Sequence, residues 1–127
     1  MSLQIIQTPS APPAIGSYSQ AVRSGDTVYV SGQLPIDPAT GQLVTGDIDA
    51  EIHRVFDNLQ AIAKAAGGSF ANVAKLNVFL TDIAHSGKVD KIMAQYFSKP
   101  FPARAAVGVA QISRGARVEI ECVLALS

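Results

Sequence analysis

Arg104 closes the segment Phe101-Pro102-Ala103-Arg104 and leads into the small, apolar run Ala105-Ala106-Val107-Gly108-Val109. A guanidinium is always charged in proteins, and its planar fork matches a carboxylate with two parallel hydrogen bonds. In such surroundings it needs an anion, supplied either by the protein or by a ligand. The nearest protein candidates by pattern are Glu119 and Glu121, in the alternating run from Val118 to Leu124. If Ala105, Val107 and Val109 pack inward, strand alternation sends Arg104, Ala106 and Gly108 to the opposite face, with Glu119 and Glu121. One arginine and one or two carboxylates would then meet around small residues that leave room for a ligand. A one-residue slip of register reverses this assignment. The competing reading is an Arg104–Glu ion pair that only satisfies two charges.

Other chemistry-bearing residues point less clearly to a site. His53 falls within a helical pattern and reads as a surface or rim residue, and His85 lies near a helix start. The two share no metal-ligand spacing. Cys122 falls on the apolar side of its alternation and reads as an inert core thiol. Tyr18 follows Gly16 in Ala14-Ile15-Gly16-Ser17-Tyr18-Ser19-Gln20, and reads either as a sheet-edge aromatic or as a ligand contact. There is no P-loop, dinucleotide fingerprint or GxSxG elbow. Gly67-Gly68 reads as a helix stop, not a phosphate cradle.

These residues sit in a chain of 127 residues, the size of one domain. Nearly half is apolar, enough for a core, and ten acidic side chains balance ten basic ones. No basic stripe stands out, which disfavours nucleic acid as a partner because such affinity rests on phosphate neutralisation. The single cysteine excludes an internal disulfide. The start shows no secretory signal and no run is long enough to span a bilayer, so the expectation is a soluble, cytosolic protein with no membrane partner.

The positioning elements follow from periodicity. The segment 9–13, rich in proline, reads as extended coil. Strands are expected over 17–23 and 27–32, joined by a turn at Ser24-Gly25-Asp26. The clearest helix spans 47–66, with Ile48, Ile52, Val55, Phe56, Leu59, Ile62, Ala63 and Ala66 on one face and Thr45 or Asp47 as cap. A strand over 73–81 should put Ala74, Leu76, Val78 and Leu80 on one side, with Val73, Lys75, Asn77 and Phe79 on the other. A second helix is expected over 86–97, then strands over 103–109 and 116–126. Two amphipathic helices can cover only one face of such a sheet. The second face, expected to hold Ala106, Gly108, Val123, Ala125, Val73 and Phe79, is too apolar to stay wet and predicts a homo-oligomer.

Four segments together carry a resemblance: Ala14-Ile15-Gly16-Ser17-Tyr18-Ser19-Gln20, Val30-Ser31-Gly32-Gln33-Leu34-Pro35, Phe101-Pro102-Ala103-Arg104 and Val118-Glu119-Ile120-Glu121. They resemble the RidA (YjgF) family of reactive-intermediate deaminases, along nearly the whole chain. The resemblance implies an α+β, chorismate-mutase-like fold, a mixed sheet with two helices on one face, and a homotrimer with active sites between subunits. It implies hydrolysis of 2-imino acids and their 2-enamino tautomers, such as 2-iminopropanoate and 2-iminobutanoate, to 2-oxo acids and ammonia, without cofactor or metal.

By the same resemblance Arg104 grips the substrate carboxylate, Glu119 positions the attacking water and Tyr18 lines the pocket. Ser31 and Gly32 fall at a strand end near the ligand. The chain departs from the family at Ser17 (often Pro), at Ala106 (often Cys, with a backbone role in holding water that Ala keeps) and at Asp90 (often Asn). A negative charge at Asp90 weakens carboxylate binding or shifts substrate preference. Two competitors remain: a non-catalytic module that binds small carboxylates or protects proteins, and a ribonuclease or translation inhibitor. Neutral charge and the missing basic-aromatic surface weigh against the second.

Overall fold

The helical pattern at 47–66 becomes α1 (Ile48–Ala65). Asp47 is the cap: its carboxylate accepts from the Asp49 N–H at 3.0 Å. At the far end Gly67 takes φ +89°, a left-handed conformation that stops the helix cheaply only for glycine. The fold comes from a computed structural model that describes residues 2–127; Met1 lies outside the described residues.

Around α1 the chain runs β1 (Gln4–Ile6), β2 (Ala21–Ser24), β3 (Thr27–Gln33), then after α1 β4 (Val73–Leu80), α2 (Ser86–Tyr96), β5 (Ala103–Gly108) and β6 (Val118–Ala125). The strands form one mixed sheet in the order β1-β2-β3-β6-β4-β5. All pairings are antiparallel except β4 with β5, which α2 connects as a crossover. α1 packs on β3 and β6 and against α2, so both helices cover one face.

The expected face of α1 is the buried one. Ile52, Val55, Phe56, Leu59 and Ile62 meet Val28, Leu76, Val78, Leu80, Val118, Ile120 and Leu124 in one continuous core. Burying each large side chain stabilises the fold by roughly 1.5–3 kcal/mol. The open face of the sheet carries a row of paired residues, Ile5, Val22, Tyr29 and Val123, and both Ile5 and Tyr29 are more than half exposed.

Several expectations are corrected. The strand expected over 17–23 starts only at Ala21. Residues 17–20 form a loop, and the buried Gln20 amide binds the main chain of Thr8, Ala11 and Pro12, which fastens the proline-rich segment. β1 was not expected, because three residues carry no readable period. Val73 is buried rather than on the open face: a bulge between Val73 and Lys75 turns it toward Leu124 on the helix side and leaves Ala74 exposed.

The largest correction concerns β5. Arg104 pairs with Leu76, Ala106 with Val78 and Gly108 with Leu80, and those three β4 residues lie fully buried under the helices. Arg104, Ala106 and Gly108 therefore face the helix side, while Ala105 and Val107 face away, the reverse of the expected register. β5 is the edge strand and exposed along its length. Its small side chains offer no apolar contrast between faces, so only the pairing with β4 decides.

Candidate functional site

The register of β5 delivers Arg104 to α2. Its Nη1 donates to Asp90 Oδ1 at 2.9 Å and lies 3.6 Å from Met93 Sδ. The contact is single-pronged, and Nη2 and Nε have no protein partner among the described residues. The Asp90 side chain is 69% exposed and that of Arg104 33%. Beside the pair lies a hollow of about 500 Å³ lined by Asp90, Met93, Ala94, Phe101, Pro102 and Arg104. The fork is thus half engaged, next to an apolar recess. A carboxylate can dock on the remaining edge with two charge-assisted hydrogen bonds.

Glu119 occupies a different place. It pairs with Phe79 across β4 and β6, on the face away from the helices. Its neighbours in β6, Val118 and Ile120, are fully buried, and alternation turns Glu119 and Glu121 to the open side. Glu119 lies against Gly32: a methyl on Gly32 would stand 2.9 Å from Glu119 Cδ and closer still to Oε2. Partial burial, and secondly the charge of Glu121, push the Glu119 carboxyl above its ordinary pKa. Glu121 is held by the Asn77 amide at 3.1 Å, whereas the Glu119 carboxylate has no hydrogen-bond partner among the described residues.

Gly32 and Ser31 sit in an irregularity of β3 between Val30 and Gln33. The Ser31 hydroxyl donates to Ser19 O at 2.6 Å, and Ser31 N–H to Gln20 O at 2.9 Å. These bonds anchor the loop that carries Tyr18, whose ring is half exposed and whose hydroxyl accepts from Ile15 N–H at 3.4 Å. Ser31 therefore ties β3 to the loop's backbone.

The structure sorts the expected residues into two groups. Glu119 and Gly32 touch, and Ser31 and Tyr18 adjoin them through the loop. Arg104, Asp90 and the backbone of Ala106 lie by the helix side of the sheet's edge. Arg104 and Glu119 face opposite sides of the sheet and do not meet within one chain, contrary to the expected shared face.

Other charged groups are committed to structure. Arg117 reaches α1 and forks onto Glu51 through Nε (3.2 Å) and Nη2, and Glu51 is almost wholly buried. The signal for it lay in α1, where Glu51 interrupts the apolar stripe beside Ile48 and Ile52. His53 Nδ1 and Asp57 Oδ1 each lie 2.9 Å from the Tyr96 hydroxyl, which ties α1 to α2; burial, and then Asp57, hold the phenol far above its usual pKa. Cys122 is buried in the core, and burial followed by Glu121 pushes its thiol up to about 12. Among the described residues no three His, Cys, Asp or Glu side chains converge as a metal site, and no helix is long and apolar enough to cross a membrane.

Residues 8–126 match the model of the family described as endoribonuclease L-PSP. The chain is 50% identical over 120 residues to a 2-iminobutanoate/2-iminopropanoate deaminase of Bos taurus, covering 94% of this chain and 88% of that one. The crystal structure of RidA from an Antarctic Psychrobacter superposes with a TM-score of 0.93 at 49% identity, covering 96% of this chain and 98% of that one. TdcF of E. coli, solved with bound serine, gives a TM-score of 0.92 at 35% identity over 98% of this chain and 99% of that one. The match over nearly the full length, in sequence and in fold, places the chain in the endoribonuclease L-PSP family, the RidA (YjgF) family to which its motifs pointed.

Proposed function

We propose that the protein hydrolyses small 2-imino acids, and through tautomerisation 2-enamino acids, to 2-oxo acids and ammonium. The observation that carries the reading is the half-engaged Arg104 fork beside an apolar hollow. The deaminase name of relatives 50% identical to this chain supports the reaction. A relative solved with serine supports a site for a molecule bearing an α-carboxylate.

In this reading Arg104 binds the substrate carboxylate and fixes the C=N carbon. Tyr18, Ser31, Gly32 and the Ala106 backbone border the substrate. Glu119 accepts a proton from water as it attacks that carbon, giving a carbinolamine. The same carboxyl returns the proton to the amine, and collapse to the ketone releases the nitrogen. The sum, iminium plus water to ketone plus ammonium, balances in atoms and charge. Orienting two reactants accounts for most of such a rate gain, and a carboxyl of raised pKa takes the proton more readily than an ordinary one and can return it.

Arg104 and Glu119 face opposite sides of one chain, so a site using both is built from two copies. A homotrimer with three equivalent clefts satisfies this and covers the apolar row on the open face. The reading places the reaction in the cytosol and needs no cofactor. Formal neutrality weighs against RNA cleavage, despite the family's description.

The test generates imine in situ with an amino-acid oxidase and follows 2-oxo acid and ammonia with and without the protein. Faster release that Arg104→Ala abolishes supports the proposal. An unchanged rate with the intact protein refutes it, and binding of 2-oxobutanoate without turnover then identifies a carboxylate-binding module.

A further inference from the structure

We infer that Asp90 is a specificity-determining residue that restricts the site to 2-imino acids with a single carboxylate and an apolar side chain. The inference rests on the reading of Arg104 as the carboxylate-binding group. Asp90 occupies Nη1 of Arg104 at 2.9 Å, so the pair is formally neutral while Nη2 and Nε of the guanidinium keep donors free of any partner among the described residues. One further carboxylate uses the remaining donors, and those hydrogen bonds offset the single excess negative charge it brings. A second carboxylate on the same substrate finds no further donor on this chain's wall of the hollow and adds to that excess.

The walls of the hollow make the same selection. Apart from the ion pair, the lining is Met93, Ala94, Phe101 and Pro102. These side chains offer contact surface to an alkyl or thioether chain and no hydrogen bond to an acid. A substrate held by Arg104 and extending into this hollow passes Asp90. An alkyl chain does so at no electrostatic cost, whereas an acidic chain brings a like charge within a few ångströms. Asp90 has no cation other than Arg104 within ion-pair distance among the described residues, because the neighbouring Lys88 reaches Asp49 at 3.5 Å. Its carboxylate is largely exposed, so the repulsion is partly screened and falls with salt. Charges of like sign at such separations and in such surroundings change affinity by about tenfold.

A second hollow carries no comparable selection. In the one lined by residues 110–117, of about 490 Å³, Arg117 already forks onto Glu51 and Arg114 donates to Gly41 O.

The experiment compares wild type with Asp90→Asn on two imines, 2-iminobutanoate and 2-iminoglutarate, each generated by an oxidase. In parallel, 2-oxobutanoate and 2-oxoglutarate are titrated calorimetrically at low and high salt. The inference expects the Asn variant to improve kcat/KM and binding for the dicarboxylic member about tenfold more than for the monocarboxylic one, with the gap shrinking at high salt. Equal changes for both members, or wild-type preference for the dicarboxylic acid, overturn it. Should the wild type hydrolyse neither imine, the deaminase reading fails alone, because the ratio of 2-oxo acid affinities still decides the role of Asp90.

Discussion

The carboxyl group of Glu119 rests on the bare backbone of Gly32, in space that any side chain at position 32 would fill. The contact joins β6 to the irregular part of β3 and sets where Glu119 can aim. Gly32→Ala puts a methyl 2.9 Å from Glu119 Cδ, so the carboxylate must move. The expected outcome is a fold that survives with a cost of about 1–3 kcal/mol and a kcat reduced by up to about a hundredfold. Thermal unfolding and imine turnover measured on the same preparation check both. Full activity in the alanine variant would remove this contact from the mechanism.

The raised pKa of Glu119 gives turnover an acid limb. Protonation disables the base, so kcat/KM falls as pH drops, with a midpoint above the ordinary carboxylate value of 4.5. Stability moves the other way. A carboxyl that binds its proton more tightly when folded favours the fold below its unfolded pKa, and that contribution is lost as pH rises through the folded pKa. Glu119→Gln should therefore lose the acid limb along with most turnover, and unfold at a higher temperature than wild type at neutral pH. A limb that persists in the Gln variant assigns the base elsewhere.

Arg104→Lys tests whether the fork matters beyond its charge. A lysine ammonium keeps the positive charge but cannot present two coplanar donors to a carboxylate. The variant should retain the fold and lose at least about tenfold in kcat/KM, chiefly through KM. Wild-type kinetics in the lysine variant would show that bidentate docking is not used.

Arg117 and Glu51 form the fork-to-fork pair of this fold, with the Glu51 side chain 3% exposed. Arg117→Ala leaves that carboxylate buried without its partner, at a cost of about 2 kcal/mol after allowing for the partly exposed arginine. Urea denaturation should show the loss in midpoint without a change in slope. Replacing both residues by leucine should restore most of it, because an apolar pair of similar size carries no desolvation penalty.

Cys122 should behave as a buried hydrophobe. Its thiol is pushed up to about 12, so almost no thiolate exists at neutral pH. A thiol reagent is expected to label it only as fast as the protein unfolds, and rapid labelling of the native protein would contradict its place in the core.

Much of this was legible in the chain itself. The apolar stripe of α1, a cap at Thr45 or Asp47 (the structure uses Asp47) and the inward row Val118, Ile120, Cys122 and Leu124 followed from spacing. The same alternation turned Glu119 outward. Glu51 left a trace as a charge in an apolar stripe, but its partner Arg117 lies 66 positions away and no local pattern joins them.

The sequence by itself determined the two helices, the strongly patterned strands with their inward faces and the family motifs, because these depend on side chains a few positions apart. Only the tertiary structure decided which way Arg104 points. β5 is a run of small residues at a sheet edge, and its face is set by pairing with β4. That pairing separates Arg104 from Glu119 and gives it Asp90 as a neighbour. Hydrophobic contrast writes a strand's orientation into its sequence; where the contrast is missing, hydrogen bonding to the adjacent strand settles it.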